Sequence, residues 1–200
     1  MKIFINAGHC AEYKNGRMQD SGAINRLYGL TEAETVLKIS KQLKFYLENV
    51  GIECVLMQTN NLRNNPIDDD LTQPCIVVEA NKSRCDYAIS VHCNAFNGLA
   101  RGTENIVFER ESEAEDLAEH IQARIVNQIG TIDRGIKYEE DKYFGNRLSF
   151  IMKTNMPAVI VECCFIDNNS DAEYLLDEGT DKFAKAIYDG IIDYLEWEIK

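Results

Sequence analysis

Six apolar runs of strand length recur along the chain, and segments with helical periodicity separate most of them. The runs are rich in aliphatic and aromatic residues and cover 2–6, 52–57, 87–91, 102–108, 148–152 and 157–165. Strands that alternate with helices in this way form a twisted, mostly parallel sheet with helices on its faces. The sequence therefore predicts a three-layer α/β fold of about six strands, built as a single domain.

Two capping boxes mark where helices begin. In each box a Thr or Ser is followed three residues later by Glu, as in Thr31 with Glu34 and Ser112 with Glu115. The predicted helices cover 31–51, 72–84 and 112–129, and two more start at Ser170 and Thr180. Polar stretches at 11–30, 58–71 and 131–147 are predicted to be loops, and the acidic run 68–70 to be a solvated surface.

The composition excludes several classes of protein. The chain has 200 residues, of which 45% are hydrophobic, and a formal net charge of −12. This charge argues against a nucleic-acid partner, because phosphate backbones require a basic surface. The apolar runs are too short for a membrane span, and no secretory signal precedes the first strand, so we expect synthesis in the cytoplasm and no membrane partner. The seven cysteines, with no CxxC pair, are expected to be buried, reduced thiols.

Two of the three histidines directly follow predicted strands. His9 comes after the first strand and Gly8, which favours a sharp exit with close backbone approach. His92 follows the strand 87–91. Because the carboxyl ends of parallel strands lie at the edge where α/β proteins bind ligands, we expect both side chains in one site. His120 lies among acidic residues of a predicted helix and is expected to be a solvated surface residue.

Carboxylates are the other candidates for this site. Glu162 lies inside an apolar strand, where a charge is costly unless it is paired, protonated or bound to a metal. A pairing with backbone N–H groups, with Arg134 or with Arg147 would make its role structural. Glu32 and Glu34 both lie in the first turn of a helix, where the helix dipole favours acids. Glu34 also completes a capping box, so Glu32 is the better candidate ligand.

Two histidines and a carboxylate, with a fourth position open to water, form the ligand set of catalytic zinc hydrolases. A second carboxylate that does not bind the metal would then move a proton to the leaving amine. The spacing of the candidates matches no short metal motif, and Cys10, Cys93 and Cys163 leave a thiol nucleophile open as an alternative. Strand alternation opposes that alternative, because it turns Cys93 and Cys163 away from the residues that precede them.

Five motifs extend in order over nearly the whole chain. They are Asn6-Ala7-Gly8-His9, Asp20-Ser21-Gly22-Ala23, Gly29-Leu30-Thr31-Glu32, Ala80-Asn81 with Ser90-Val91-His92-Cys93-Asn94-Ala95, and Met156-Pro157-Ala158-Val159-Ile160-Val161-Glu162 with Phe165 and Asn168. In this combination the chain resembles the zinc-dependent N-acetylmuramoyl-L-alanine amidases, the cell-wall lytic family that includes sporulation and phage-type lysins. It departs from the family pattern at Cys10-Ala11-Glu12, which replaces a Gly-Gly, and at Cys163-Cys164, which replaces a pair ending in Gly.

The resemblance implies that His9, Glu32 and His92 bind zinc and that Glu162 is the catalytic acid and base. Glu32 is preferred to Glu34 because it occupies the Glu position of the family's Gly-Leu-x-Glu motif. The implied reaction is hydrolysis of the amide between the lactyl group of N-acetylmuramic acid and L-alanine, with peptidoglycan as the partner.

Two other functions stay open: a zinc peptidase or amidohydrolase that cuts within the stem peptide, and a non-enzymatic wall-binding module. The predicted catalytic domain uses residues 1–200, so we expect no separate wall-binding domain. A phage-type lysin (endolysin), made in the cytoplasm and released to the wall, fits a chain without a signal. The mature form of a secreted enzyme is the alternative.

Overall fold

The computed structural model describes residues 1–61, 71–141, 145 and 148–198. In chain order its strands are β1 (Lys2–Ala7), β2 (Cys10–Lys14), β3 (Arg17–Asp20), β4 (Ile24–Asn25), β5 (Leu30–Thr31), β6 (Glu53–Met57), β7 (Tyr87–Asn94), β8 (Thr103–Val107), β9 (Asp133–Tyr138) and β10 (Ala158–Phe165). Its α-helices are α1 (Glu32–Asn49), α2 (Ile76–Ser83), α3 (Glu113–Ile129), α4 (Ser149–Lys153), α5 (Asn169–Ala172) and α6 (Gly179–Glu198).

Within these ranges, six strands form one sheet in the order β6-β1-β7-β10-β8-β9. Neighbouring strands are parallel except β10 and β8, which are antiparallel. The predicted mostly parallel α/β fold is therefore confirmed. The parallel neighbours β1, β7 and β10 end at the same edge of the sheet, so the side chains at their carboxyl ends lie close together.

Helices cover both faces of the sheet, because side chains alternate between the faces along each strand. Ile3 and Ile5 of β1 belong to an apolar cluster with α1, α3 and α6. Phe4, between them, belongs to a second cluster with α2 and α4. One apolar cluster therefore lies on each face of the sheet, and the fold has three layers: helices, sheet and helices. None of the helices in the described ranges has the length and apolar character that a membrane span requires.

The predicted loop at 11–30 contains an antiparallel hairpin of β2 and β3. Its turn is formed by Asn15 and Gly16, whose φ values are 54° and 75°. Positive φ at both central residues is what an Asn-Gly pair favours in a two-residue hairpin. The prediction that 11–30 is a loop with little structure was wrong, because the strands of this hairpin are polar and exposed and show no apolar alternation. The Asn-Gly pair in the sequence does indicate a hairpin turn.

Two further predictions of secondary structure were wrong. The run 148–152 forms helix α4, with Phe150 and Ile151 both buried in the second cluster, rather than a strand. A short apolar run does not distinguish a helix from a strand by periodicity. The predicted loop at 131–147 contains β9, an edge strand without a fully buried residue, which pairs with β8. The acidic run 68–70 lies outside the described residues.

Candidate metal centre

His9 and His92 lie side by side at the sheet edge, with ring centroids 5.2 Å apart. They come from neighbouring parallel strands, His9 just after β1 and His92 near the end of β7. Gly8 permits this approach, since a Cβ built on it would lie 2.3 Å from Cε1 of His92. The positive φ of His9, 60°, interrupts the extended backbone between β1 and β2. The structure thus brings the two strand-end histidines into one site.

The first turn of α1 separates the roles of its two glutamates. Thr31 caps the helix by accepting a hydrogen bond from the backbone N–H of Glu34 (3.4 Å), and its hydroxyl donates to Oε2 of Glu34 (2.8 Å). The Glu34 carboxylate is therefore engaged by the cap. Glu32, the first residue of the helix, is 4% exposed and extends toward the histidines instead.

The carboxylate of Glu32 lies between the two imidazoles. Its Oε2 is 3.0 Å from Nε2 of His9, and its Oε1 is 3.1 Å from Nδ1 of His92. The backbone N–H of Ala23 donates to Oε2 and that of Cys93 donates to Oε1, both at 3.0 Å. These two backbone groups hold the carboxylate in place, so its position does not depend on the histidines alone.

The three side chains fit a single divalent ion. His9, Glu32 and His92 each offer one ligand atom, and these atoms all lie within 4.8 Å of one another. Ligand atoms around a tetrahedral zinc with bonds of about 2.0–2.2 Å are roughly 3–4 Å apart. Two imidazoles and one carboxylate are also a donor set that zinc accepts in catalytic sites. Both the spacing and the chemistry of the donors therefore suit zinc.

Asp20, the last residue of β3, contacts the outer nitrogen of His9. Its Oδ2 lies 2.9 Å from Nδ1 of His9, and its Oδ1 accepts from the backbone N–H of Gly22 (3.0 Å). A carboxylate on the outer nitrogen fixes the ring so that the other nitrogen faces a metal. In the sequence Asp20 was only part of a family motif without an assigned role, because its contact with His9 depends on the unpredicted hairpin.

The exchange Asp20→Asn is expected to weaken zinc binding about 10- to 100-fold, the usual effect of losing an outer carboxylate. Asparagine keeps the size of the side chain but loses the charge that orients and polarises the imidazole. Titration of the metal-free protein with zinc against a competing chelator measures the change. Glu12→Gln, at an exposed position of the same hairpin, is the control. If Asp20→Asn and the wild type bind zinc with equal affinity, Asp20 does not orient His9 for metal binding.

The charges of the cluster stabilise one another. Burial opposes the charged form of His9, but hydrogen bonds to Asp20 and Glu32 outweigh it and raise the pKa of His9 to about 10. Burial also favours the neutral form of Glu32, yet hydrogen bonds to His9 and His92 lower the pKa of this carboxyl. The hydrogen bond to His9 lowers the pKa of Asp20. Without a metal, the cluster therefore holds an imidazolium between two carboxylates.

Zinc affinity is expected to rise with pH. Zinc binds the unprotonated nitrogen, and the pKa of metal-free His9 is raised to about 10, so binding displaces a proton throughout the neutral range. The apparent association constant should increase about tenfold per pH unit between about pH 6 and about pH 8. Calorimetry in buffers of different ionisation enthalpy counts the released proton. An affinity that does not change with pH would show that His9 is already unprotonated in the free protein.

Glu162 lies on β10, in register with His92 on β7 and with Glu104 on β8. Its Oε2 is buried and has no hydrogen-bond partner within the part of the chain that the structure describes. Arg134, one of the two arginines considered as a structural partner of Glu162, contacts Glu104, with Nε 2.7 Å from Oε2. The other, Arg147, lies outside the described residues. Glu162 is therefore the neighbour of His92 across the sheet and has a buried oxygen without a partner among the described residues.

The surroundings of Glu162 favour its protonated form. Burial is the first cause, and the negative charges of Glu32 and Glu104 add to it, so the pKa of Glu162 lies well above its usual range. A carboxylic acid that is neutral near physiological pH can donate a proton to a reacting group. Without a metal, the cluster therefore combines a charged carboxylate, Glu32, with a neutral one, Glu162.

The thiols next to the candidate residues lie in the interior. Cys10 and Cys163 are 0% exposed, and Cys93 is 2% exposed. Cys93 and Cys163 belong to the apolar cluster with α1, α3 and α6, on the face that strand alternation predicts. A buried thiol of this kind does not reach a substrate, so the structure does not support a thiol nucleophile.

His120 contributes nothing to this cluster, but it is not the solvated residue that the sequence suggested. It is half-buried on α3, and its ring lies 5.9 Å from that of Tyr194 and 5.8 Å from that of Trp197. The reason is the packing of α3 against α6, which the acidic neighbours of His120 in sequence do not reveal.

The fold is that of an α/β domain, and the cluster at its edge has a set of donor atoms that could hold a metal ion. Residues 3–193 match the family described as N-acetylmuramoyl-L-alanine amidase, and the chain belongs to this family. The resemblance seen in the five sequence motifs is confirmed.

Individual relatives share this description. An uncharacterized cell wall amidase of Bacillus anthracis is 37% identical over 128 residues, which are 60% of this chain and 23% of the relative. The N-acetylmuramoyl-L-alanine amidase LytC of Bacillus subtilis is 32% identical over 197 residues, 96% of this chain and 35% of LytC. The chain therefore spans well under half of either relative. The structure of the N-acetylmuramoyl-L-alanine amidase from Clostridium difficile 630 matches with a TM-score of 0.76 and 25% identity, covering 98% of this chain and 96% of that one.

Proposed function

We propose that this chain is a zinc-dependent amidase that hydrolyses the bond between the lactyl group of N-acetylmuramic acid and L-alanine in peptidoglycan. One observation carries the proposal: the ligand atoms of His9, Glu32 and His92 lie within 4.8 Å of one another, and Glu162 stands beside them with a buried, unpartnered oxygen. The family of the chain supports the choice of substrate. Its action at the cell wall follows from that substrate, and its release as a phage-type lysin stays a prediction.

The roles of the four side chains follow from their positions. His9, Glu32 and His92 would hold the ion, and Asp20 would orient His9. Zinc in such a site supplies a Lewis acid that polarises the amide carbonyl and lowers the pKa of water to about 7. In its carboxylate form, which the positive charge of a bound ion would favour, Glu162 would take a proton from the attacking water and give it to the amide nitrogen as the C–N bond breaks, so that the peptide leaves as a neutral amine.

Product analysis tests the reaction itself. The zinc-loaded protein is expected to release stem peptides with free L-alanine amino termini from purified peptidoglycan, and mass spectrometry should find them intact. Elemental analysis should find one zinc per chain, and chelation should abolish the release. Cleavage between amino acids with the sugar link intact would identify a stem peptidase instead. Wall binding that survives chelation, without any product, would identify a binding module.

A further inference from the structure

The hairpin of β2 and β3 begins directly after His9 and ends at Asp20, so both of its ends adjoin the candidate metal centre. The proposed reaction gives a role only to Asp20. The rest of the hairpin carries Tyr13, whose side chain is 65% exposed. An aromatic side chain that is held in solvent beside a candidate site gains buried area when a ligand covers it.

Alternation along β3 assigns Tyr13 to one face of the hairpin. Met18 and Asp20 are two residues apart and so lie on one face, whereas Gln19 lies on the other. Tyr13 is directly opposite Met18 in the antiparallel pair, so it shares the face of Met18 and Asp20. This is the face from which Asp20 contacts His9, and Met18 is about 7 Å of strand away from Asp20.

Hydrogen bonds hold the hairpin on the β6 side of the metal centre. The backbone N–H of Ala11 donates to Oε1 of Gln58 (3.2 Å), which directly follows β6, and Nε2 of Gln73 donates to Oε1 of Gln19 (2.9 Å). In the sheet order β6-β1-β7-β10, Glu162 lies at the other side of the two histidines, on β10. A hairpin that is already fixed loses little entropy when it binds a ligand.

The direction of the proposed cleavage indicates which part of the substrate meets this face, so the inference rests on the proposed function. Glu162 would give its proton to the amide nitrogen, which places the amine side of the scissile bond toward β10. The acyl side, which carries N-acetylmuramic acid and the rest of the glycan strand, then lies toward β1 and the hairpin. N-acetylated sugars carry no charge, so the net charge of −12 does not repel them.

We infer that the hairpin face formed by Tyr13 and Met18 binds the glycan strand, at a sugar next to the N-acetylmuramic acid whose stem peptide is released. The C–H groups of a sugar ring pack on the flat ring of a tyrosine, and its hydroxyls can bond to the tyrosine hydroxyl. The half-buried Met18 gives the ring of Tyr13 an apolar neighbour. Binding energy from such a remote contact raises kcat/KM for substrates that are long enough to make it.

Substrates with the same stem peptide and different glycan lengths test the inference. The zinc-loaded wild type would be assayed on an N-acetylmuramoyl peptide, on the disaccharide peptide that adds N-acetylglucosamine, and on the corresponding tetrasaccharide, with rates given per cleavable bond. We expect kcat/KM to be about tenfold higher for the tetrasaccharide than for the single sugar, the effect of one well-placed aromatic contact. The value for the disaccharide shows on which side of N-acetylmuramic acid the bound sugar lies.

Tyr13→Ala should remove this gain and change kcat/KM for the single-sugar substrate by no more than about twofold, as expected of an exposed position. Tyr13→Phe, which keeps the ring, should retain most of the gain. Phe45→Ala removes a ring of similar exposure, 57%, from α1 and is the matched control. Zinc content and thermal unfolding of each variant check that the hairpin still holds Asp20 against His9.

The inference is overturned if Tyr13→Ala changes all three substrates by the same factor or changes none of them. It is also overturned if the wild type cleaves the three substrates equally well. If the zinc-loaded wild type releases the stem peptide from none of them, the proposed function itself has failed, which is a different result from cleavage that does not depend on glycan length.

Discussion

Replacing Glu162 with glutamine is expected to lower kcat about a thousandfold, within the range that general acid–base catalysis contributes. Glutamine keeps the volume of the side chain but has no proton to give to the amide nitrogen and no basic oxygen of comparable strength. Because Glu162 is not one of the three clustered ligand residues, zinc content should stay at one per chain. Folding should also be unaffected, since Oε2 of Glu162 has no hydrogen-bond partner among the described residues to lose.

Steady-state hydrolysis of a muropeptide, with elemental analysis of the same sample, measures both effects. Glu119→Gln makes the same chemical change at an exposed position of α3 and should behave as wild type. If the Glu162 variant keeps near-normal turnover, another group moves the proton. A parallel loss of zinc would instead assign Glu162 to the metal ligands.

Replacing His92 with alanine is expected to abolish stoichiometric zinc binding, and activity with it. The variant retains only two of the three clustered candidate ligands, His9 and Glu32. Its affinity should fall by clearly more than the roughly 10- to 100-fold expected for loss of an outer partner such as Asp20. The buried Glu32 also loses a hydrogen bond of 3.1 Å, so the metal-free variant should be less stable than metal-free wild type.

Competition with a chelator measures the affinity, and thermal unfolding of the metal-free proteins measures the stability. His120→Ala is the matched control, because His120 lies between α3 and α6 and contacts Tyr194 and Trp197 rather than the cluster. Full zinc occupancy in the His92 variant would exclude His92 as a ligand. Together, the His92 and Glu162 variants separate metal binding from proton transfer.

Much of the fold was predictable because its signals are local. Short apolar runs located β1, β6, β7, β8 and β10, and capping boxes located the starts of α1 and α3. The errors fell where the local signal was weak or ambiguous. The polar edge strand β9 has no buried face to create alternation, and α4 is a five-residue helix whose apolar run also suits a strand.

The sequence by itself determined that His9 and His92 meet at one edge, since parallel strands carry the residues at their carboxyl ends to the same side of a sheet. The sequence also indicated Glu32 and Glu162 as candidate carboxylates, and the resemblance to the family implied their separate roles as metal ligand and as catalytic acid and base. Only the tertiary structure decided that Asp20 contacts His9 and that Arg134 contacts Glu104. The contacts of His9 with Asp20 and of Arg134 with Glu104 join residues that are 11 and 30 positions apart along the chain. Periodicity and capping act over a few residues and carry no information about such pairs.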